Sequence, residues 1–288
     1  MNLDFIKELC TTPTEELKVN ITRFLHQKGY QRVWSTKDYI IAEGNMPICL
    51  IAHMDTVFPG LPREFFYDQE QKVLWSPTGA GFDDRAGIYA IINILEETNY
   101  YPSVIFLDQE EHGGIGARAL IHRFKRCPFA CNALIELDRA NFNDSVFYDC
   151  DNKAFEKYIN KFGFKTNWGT FSDISVIAPA WGIAAVNLSI GYVDEHFATE
   201  RLYTKQCDKT IKRVTNILRD INNRGIPFFK YIPFVYQNYH SYTPTGFFDN
   251  MCLMCGKELK EGETYFKITD KNDEYSYNVC KDCYHEYY

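Results

Sequence analysis

The chain has 288 residues, a hydrophobic share of 45% and a net charge of −7. That is enough for one large domain with a sizeable core plus a small one, and too acidic for nucleic-acid binding to be its main business. No apolar run reaches membrane-spanning length, and the first residues carry acids early with no long apolar core, so neither a membrane span nor a secretory signal is expected and a cytoplasmic location is.

Residues 4–28 predict a helix in two pieces broken at 11–13, with Thr14 capping the second and Leu17, Ile21 and Leu25 on one face. Residues 31–43 alternate in places, as an antiparallel strand pair does. Residues 47–53 are an apolar run that reads as a buried strand and delivers His53-Met54-Asp55 to its end. Two apart in an extended chain, His53 and Asp55 share a side. A carboxylate so placed can hold one imidazole nitrogen while the other binds a metal. Residues 73–75 are a short strand. A glycine-rich turn over 78–87 then leads into a helix with Ile88, Ile91, Ile92 and Leu95 inside, and Asp83 and Asp84 at its start. Helix capping is an ordinary use of such aspartates. Two in succession downstream of a His-x-Asp pair fit a ligand role as well.

The rest of the chain is organised around residues 103–117, SVIFLDQEEHGGIGA. Residues 103–107 predict a buried strand, and Asp108, Gln109, Glu110 and Glu111 follow at its end. Gly113, Gly114 and Gly116 turn the chain into a helix over 117–125. Ligands bind at strand ends of open α/β sheets, and adjacent carboxylates there repel unless a cation or a proton intervenes. Another buried strand, 133–137, ends at Asp138, and 145–148 reads as an edge strand. Residues 153–160 predict a helix. The turn 168–173 opens a short helix over 174–178. The last strand, 184–189, runs into residues 191–196 and ends at His196. A long helix follows over 204–223, and Gly225 ends it. In order, then, strand and turn ends carry His53 with Asp55, Asp83, Glu110 with Glu111, Asp138, and His196. Two histidines and several carboxylates with no cysteine among them suit Zn²⁺ or a similar divalent ion.

The ordered set HMDTV, GxDDRAG, QEEHGGIGA, ELD and NLSIGYVDEH resembles the di-zinc exopeptidase superfamily, the group of bacterial leucyl aminopeptidase, bacterial tripeptidase and glutamate carboxypeptidase, over about residues 1–223. The resemblance implies an α/β fold, a three-layer α/β/α sandwich with a mixed central sheet. It implies two Zn²⁺, one held by His53 and Asp138 and one by Glu111 and His196, with Asp83 bridging them. Glu110 would be the general base and Asp55 would orient His53. The Asp83–Asp84 bond is expected to be cis. Tyr192 reads as a core residue or, less directly, as an oxyanion donor. Ser172-Asp173 stands where relatives carry a Ser-Asp motif near the substrate. The implied reaction is hydrolysis of a peptide or amide substrate by a metal-activated water, as an aminopeptidase. A carboxypeptidase or an N-acyl amino acid deacylase on the same metals is the alternative. Only 57 residues separate Asp138 from His196, too few for the lid domain of the carboxypeptidase-like members. Arg85 and Arg139 are the nearest cations for a substrate carboxylate, and the acid-rich cleft favours an α-ammonium.

Residues 1–224 are thus expected to form the catalytic domain. Residues 225–250 are an aromatic-rich connector with three prolines, too apolar for a free linker and, with Lys230 its only cation, a poor nucleic-acid binder. They are expected to pack on the catalytic domain or on a partner. Cys252-x-x-Cys255 and Cys280-x-x-Cys283, with 24 residues between, have metal-knuckle spacing. Residues 251–288 are therefore expected to form a zinc-ribbon or treble-clef module around one structural Zn²⁺. With 5 Lys against 8 Asp and Glu it suits docking to a protein better than to DNA. A reading of another class follows, a non-catalytic adaptor acting through the ribbon, against which the full ligand set with Glu110 argues. The other cysteines, Cys10, Cys49, Cys127, Cys131, Cys150 and Cys207, read as small buried or half-buried residues.

Overall fold

The computed structural model describes residues 1–234, 265–269 and 276–281. The chain forms two compact units, Met1–Phe234 and Val235–Tyr288. In the first, α1 (Leu3–Thr11) and α2 (Thr14–Gln27) lead into β1 (Val33–Ser35), β2 (Tyr39–Ala42) and β3 (Met46–His53). Then come β4 (Phe66–Asp68), β5 (Val73–Trp75), α3 (Phe82–Glu97), β6 (Pro102–Leu107), α4 (Ile115–Arg123), β7 (Leu134–Arg139) and β8 (Asp144–Val146). The unit continues with α5 (Lys153–Asn160), β9 (Lys165–Asn167), α6 (Asp173–Trp181), β10 (Ala185–Ser189), β11 (Tyr192–Val193), β12 (Arg201–Tyr203) and α7 (Thr204–Arg224).

The apolar runs pair into one sheet in the order β1-β2-β6-β3-β7-β10-β8-β9. Its centre, β6, β3, β7 and β10, is parallel. The strands next to that centre, β2 and β8, are antiparallel to it, so the sheet is mixed. Central strands of this kind are apolar on both faces because helices cover both. Period-two alternation sorts each strand between two cores. Ile48, Leu50, Ala52, Val104, Phe106, Ile135 and Val186 join residues of α1, α2, α3, α5 and α7 on one face, and Cys49, Ile51, Ile105, Leu107, Leu134 and Ala185 join α4 and α6 on the other. This is the expected three-layer α/β/α sandwich.

The topology decides where the site lies. From β3 the chain crosses through α3 to β6 on one side, then through α4 to β7 on the other. The order reverses at β3, and it is beyond the carboxyl ends of the strands at such a switch point that ligands bind in open α/β sheets. Close packing of α3 on β7 depends on Gly87, where an added Cβ would lie 2.0 Å from the Leu137 carbonyl oxygen. Lys18 reaches from α2 to pair with Asp108 at 2.6 Å, fixing the end of β6 ahead of Gln109, Glu110 and Glu111.

Several expectations are corrected. Thr14 is not the cap of α2. Pro13 is, and the Thr14 hydroxyl accepts from Arg85 Nη2 at 3.3 Å. The strand near 145 is not an edge, since β9 pairs outside it, and β10 is not the last strand. A second, antiparallel sheet of order β11-β12-β5-β4 was not anticipated. Strands of two or three residues are too short for alternation to register.

Past Gly225 the chain runs back over the first unit. Ile183 bridges to Lys230 and Cys150 to Pro233. Phe229 is buried, its ring 4.9 Å from that of Phe155. Within the second unit β13 (Tyr265–Thr269) and β14 (Ser276–Cys280) pair antiparallel, with Tyr265 opposite Cys280. Cys252, Cys255, Cys283 and residues 235–250 of the connector lie outside the described residues.

Candidate active site

The carboxyl ends of β3 and β7 bring His53 and Asp138 together, and the turn into α3 adds Asp83. His53 Nε2 lies 3.0 Å from Asp83 Oδ1 and 3.2 Å from Asp138 Oδ1. On the other side of the ring, His53 Nδ1 lies 3.3 Å from Asp55 Oδ1, an ion-pair contact too poorly aligned to count as a hydrogen bond. Asp55 in turn accepts the backbone N–H groups of Glu110 at 3.0 Å and Glu111 at 3.2 Å. One carboxylate thus ties the end of β3 to the loop after β6. The second oxygen of Asp83 lies 3.2 Å from His196 Nε2, and that nitrogen is 3.1 Å from Glu111 Oε2. Asp83 therefore spans two clusters, His53 with Asp138 and His196 with Glu111.

The residues could hold metal. A single imidazole nitrogen carries one proton or one lone pair, yet His53 Nε2 faces two carboxylate oxygens, and Glu111 Oε1 is buried without a hydrogen-bond partner among the described residues. Donors around a tetrahedral ion with bonds of about 2.0–2.1 Å stand roughly 3.3 Å apart, close to the 3.0–3.2 Å separations here. The electrostatics point the same way. Hydrogen bonds to Asp83 and Glu111 push His196 up to about 11. For His53, burial opposes the charged form, but Asp138 and the flanking carboxylates override it and raise the ring well above its ordinary value. Both rings are pulled toward positive charge, the charge a bound ion would bring.

Glu110 stands apart from the ligands. Burial, reinforced by Asp138, Asp173 and Asp83 and opposed by His53, pushes its carboxyl up to about 9. The peptide between Asp83 and Asp84 is cis. Asp84, fully buried, accepts from the His53 amide at 3.2 Å and the Gly87 amide at 2.9 Å, so it braces the strand end from behind.

Sequence reading missed three supporting residues. Asn187 on β10 accepts from the Asp138 amide at 3.0 Å and donates to Asp138 Oδ2 at 3.3 Å. It also donates to the Ser172 hydroxyl, which itself donates to buried Glu136. Glu200 accepts four consecutive amides, those of Ala80, Gly81, Phe82 and Asp83. A polar residue inside an otherwise apolar strand was the available signal for Asn187 and Glu136; for Glu200 there was none, because its partners are backbone groups. Tyr192 is a core residue whose hydroxyl donates to Asp138, so it is not free to meet an oxyanion. Arg85 turns away, donating to the Leu9 carbonyl at 3.2 Å, and Arg139 donates to the Trp168 carbonyl at 3.4 Å. Asp173 is buried with neither carboxylate oxygen hydrogen-bonded among the described residues. Burial pushes it up to about 8, with Asp138 and Asp55 adding and His53 opposing.

Fold and site together define an α/β/α sandwich with a cluster of histidines and carboxylates at the switch point that could hold metal. Solved structures share that fold. The aminopeptidase PepT of Bacillus cereus superposes with a TM-score of 0.62 at 15% identity, over 76% of this chain and 98% of that one. A tripeptidase of Staphylococcus aureus gives 0.64 at 14% identity, over 77% and 98%. The TET1 peptidase of Pyrococcus horikoshii gives 0.57 at 14% identity, over 75% and 98%. No protein-family model and no curated protein sequence matches the chain.

Proposed function

We propose that this chain is a metal-dependent aminopeptidase of the cytoplasm, with two divalent ions, Zn²⁺ in the simplest case, held by His53, Asp83, Glu111, Asp138 and His196. The observation that carries it is Asp83, one oxygen at His53 and the other at His196. The peptidase activities of the similar structures agree with it. When bound, such a pair lowers the pKa of water and polarises a carbonyl. The protein does the rest. Glu110, made more basic than an ordinary carboxylate by burial, takes the proton of the attacking water and returns it to the leaving amine. Asp55 orients His53, while Asn187 and Tyr192 orient Asp138. The acids around the cleft favour the α-ammonium of a peptide. Arg85, committed to α1, is no longer available to grip a substrate carboxylate.

The tail is proposed as a connector, 225–250, and a ribbon, 251–288, in which Cys252, Cys255, Cys280 and Cys283 hold one structural Zn²⁺ and present an acidic face to a protein partner. The test of the main reading is one tripeptide offered with a free amino end, N-acetylated, and C-amidated. Turnover of the free and amidated forms and refusal of the acetylated form is expected. Cleavage of the acetylated form with refusal of the amide would replace this reading by the carboxypeptidase or deacylase one.

A further inference from the structure

Glu200 lies four residues beyond His196 and is fully buried. Its Oε2 accepts the amides of Ala80 at 3.1 Å, Gly81 at 2.8 Å and Phe82 at 3.1 Å, and its Oε1 accepts that of Asp83 at 3.0 Å. The first amides of a helix have no partner within it. Here that need is acute, because Asp83 and Asp84 are not helical in conformation and Gly81 is left-handed, and the Asp84 side chain caps the Gly87 amide rather than those of residues 80–83. Residues 80–83 are also buried, out of reach of water. A carboxylate from a distant loop does the capping. That loop is the one that carries His196. The Glu200 amide closes it by donating to the Phe197 carbonyl at 2.9 Å. The next residue, Arg201, pairs with Trp75 in the β12–β5 ladder, just ahead of the turn that bears Asp83.

The two clusters differ in what holds them. His53 and Asp138 sit on neighbouring parallel strands of the large sheet. His196 does not; it lies in a loop with φ of 68° and its side chain is 52% exposed. The His196 ring meets the Asp83 side chain at 3.2 Å, and the Glu200 carboxylate accepts the Asp83 backbone amide at 3.0 Å, so this loop grips Asp83 at both side chain and backbone.

We infer that Glu200 is a positioning residue that sets the spacing between Asp83 and His196, and so governs binding of the ion shared by Asp83, Glu111 and His196 more than that of the ion at His53 and Asp138. This rests on the two-ion reading of the site. In Glu200→Gln one acceptor oxygen becomes an NH₂ donor pointed at N–H groups, so the cradle cannot close while side-chain size is kept.

The experiment is titration of metal-free full-length protein with Co²⁺, followed by visible absorption and calorimetry. Thiolate charge-transfer bands mark any ion taken up by the tail and separate it from the catalytic pair. Wild type is expected to take up two ions in the catalytic unit. Glu200→Gln should keep the first with affinity within about threefold and lose at least about tenfold in the second, the scale of a lost partner behind a metal ligand. Equal weakening of both ions, or of neither, overturns the inference while leaving the two-ion reading intact. A wild type that takes up no pair overturns the two-ion reading and this inference with it. If the variant does not fold, hydrogen exchange on metal-free wild type decides. The amides of residues 80–83 should be as protected as those of β5 and β12, and exchange at the rate of an open loop overturns the latch.

Discussion

Glu110 and Glu111 are adjacent yet placed for opposite duties. The Glu111 carboxylate meets His196 at 3.1 Å, whereas burial makes that of Glu110 a stronger base than an ordinary carboxylate. Glu110→Gln should therefore cut kcat by at least about 10²-fold, the scale of a general base, and leave both ions bound in a metal analysis. Glu111→Gln should instead weaken ion binding. The same titrations set a pH dependence for the metal-free protein. Burial raises Glu110 to about 9 and Asp173 to about 8, and hydrogen bonds raise His196 to about 11. Between the unfolded and folded values of each group the folded state binds more protons, so stability falls as pH rises. The lowered carboxylates, Asp55 and Asp83, have the opposite sign, but only at acidic pH, below this window. In a chelator, the melting temperature should thus drop from about pH 6 to about pH 9. A rise over that interval would show that these groups are not held protonated.

At the scale of elements, the sandwich packs through a few backbone contacts with no spare volume. Gly87→Ala puts a Cβ 2.0 Å from the Leu137 carbonyl oxygen and 2.4 Å from Asp84 Oδ2. Neither the strand nor the buried carboxylate can retreat, so α3 must move off β7. We expect a loss of about 1–3 kcal/mol or more, read from urea unfolding, along with weaker ion binding because Asp83 and Asp84 move with α3. An unchanged midpoint would mean that the helix can slide freely. The elements that were legible in the sequence explain why this region was. Residues 103–107 and 133–137 are continuous apolar runs, and a buried parallel strand ends where such a run meets charge. His53, Glu110, Glu111 and Asp138 could be placed because each sits at such an end. The β11-β12-β5-β4 sheet could not, although 73–75 reads as a strand, since strands of two or three residues are too short to show a period. Glu200 went with it, because what makes it important is four amides some 120 residues earlier in the chain, and amides leave no mark in a sequence.

At the scale of the whole molecule, the proposed function has the two units make separate demands on metal. The five residues proposed to hold the catalytic pair lie between positions 53 and 196, inside the unit that ends at Phe234. The four cysteines of the proposed ribbon lie beyond it, and a module of under 40 residues has too little core to fold without its metal. The two sets also differ in kind: histidine and carboxylate in the first, thiolate in the second. Full-length protein should accordingly carry three ions per chain. Cys252→Ser with Cys255→Ser should release one and leave the pair, so that metal content falls from three to two while turnover of a free-amino tripeptide persists. The same variant should lose the β13–β14 pairing, visible as loss of amide protection in residues 265–269 and 276–280. Two ions in wild type, with no change on substitution, would leave the cysteines without a metal. Loss of all three would mean that the catalytic pair depends on the second unit, a dependence for which none of its proposed ligands gives cause.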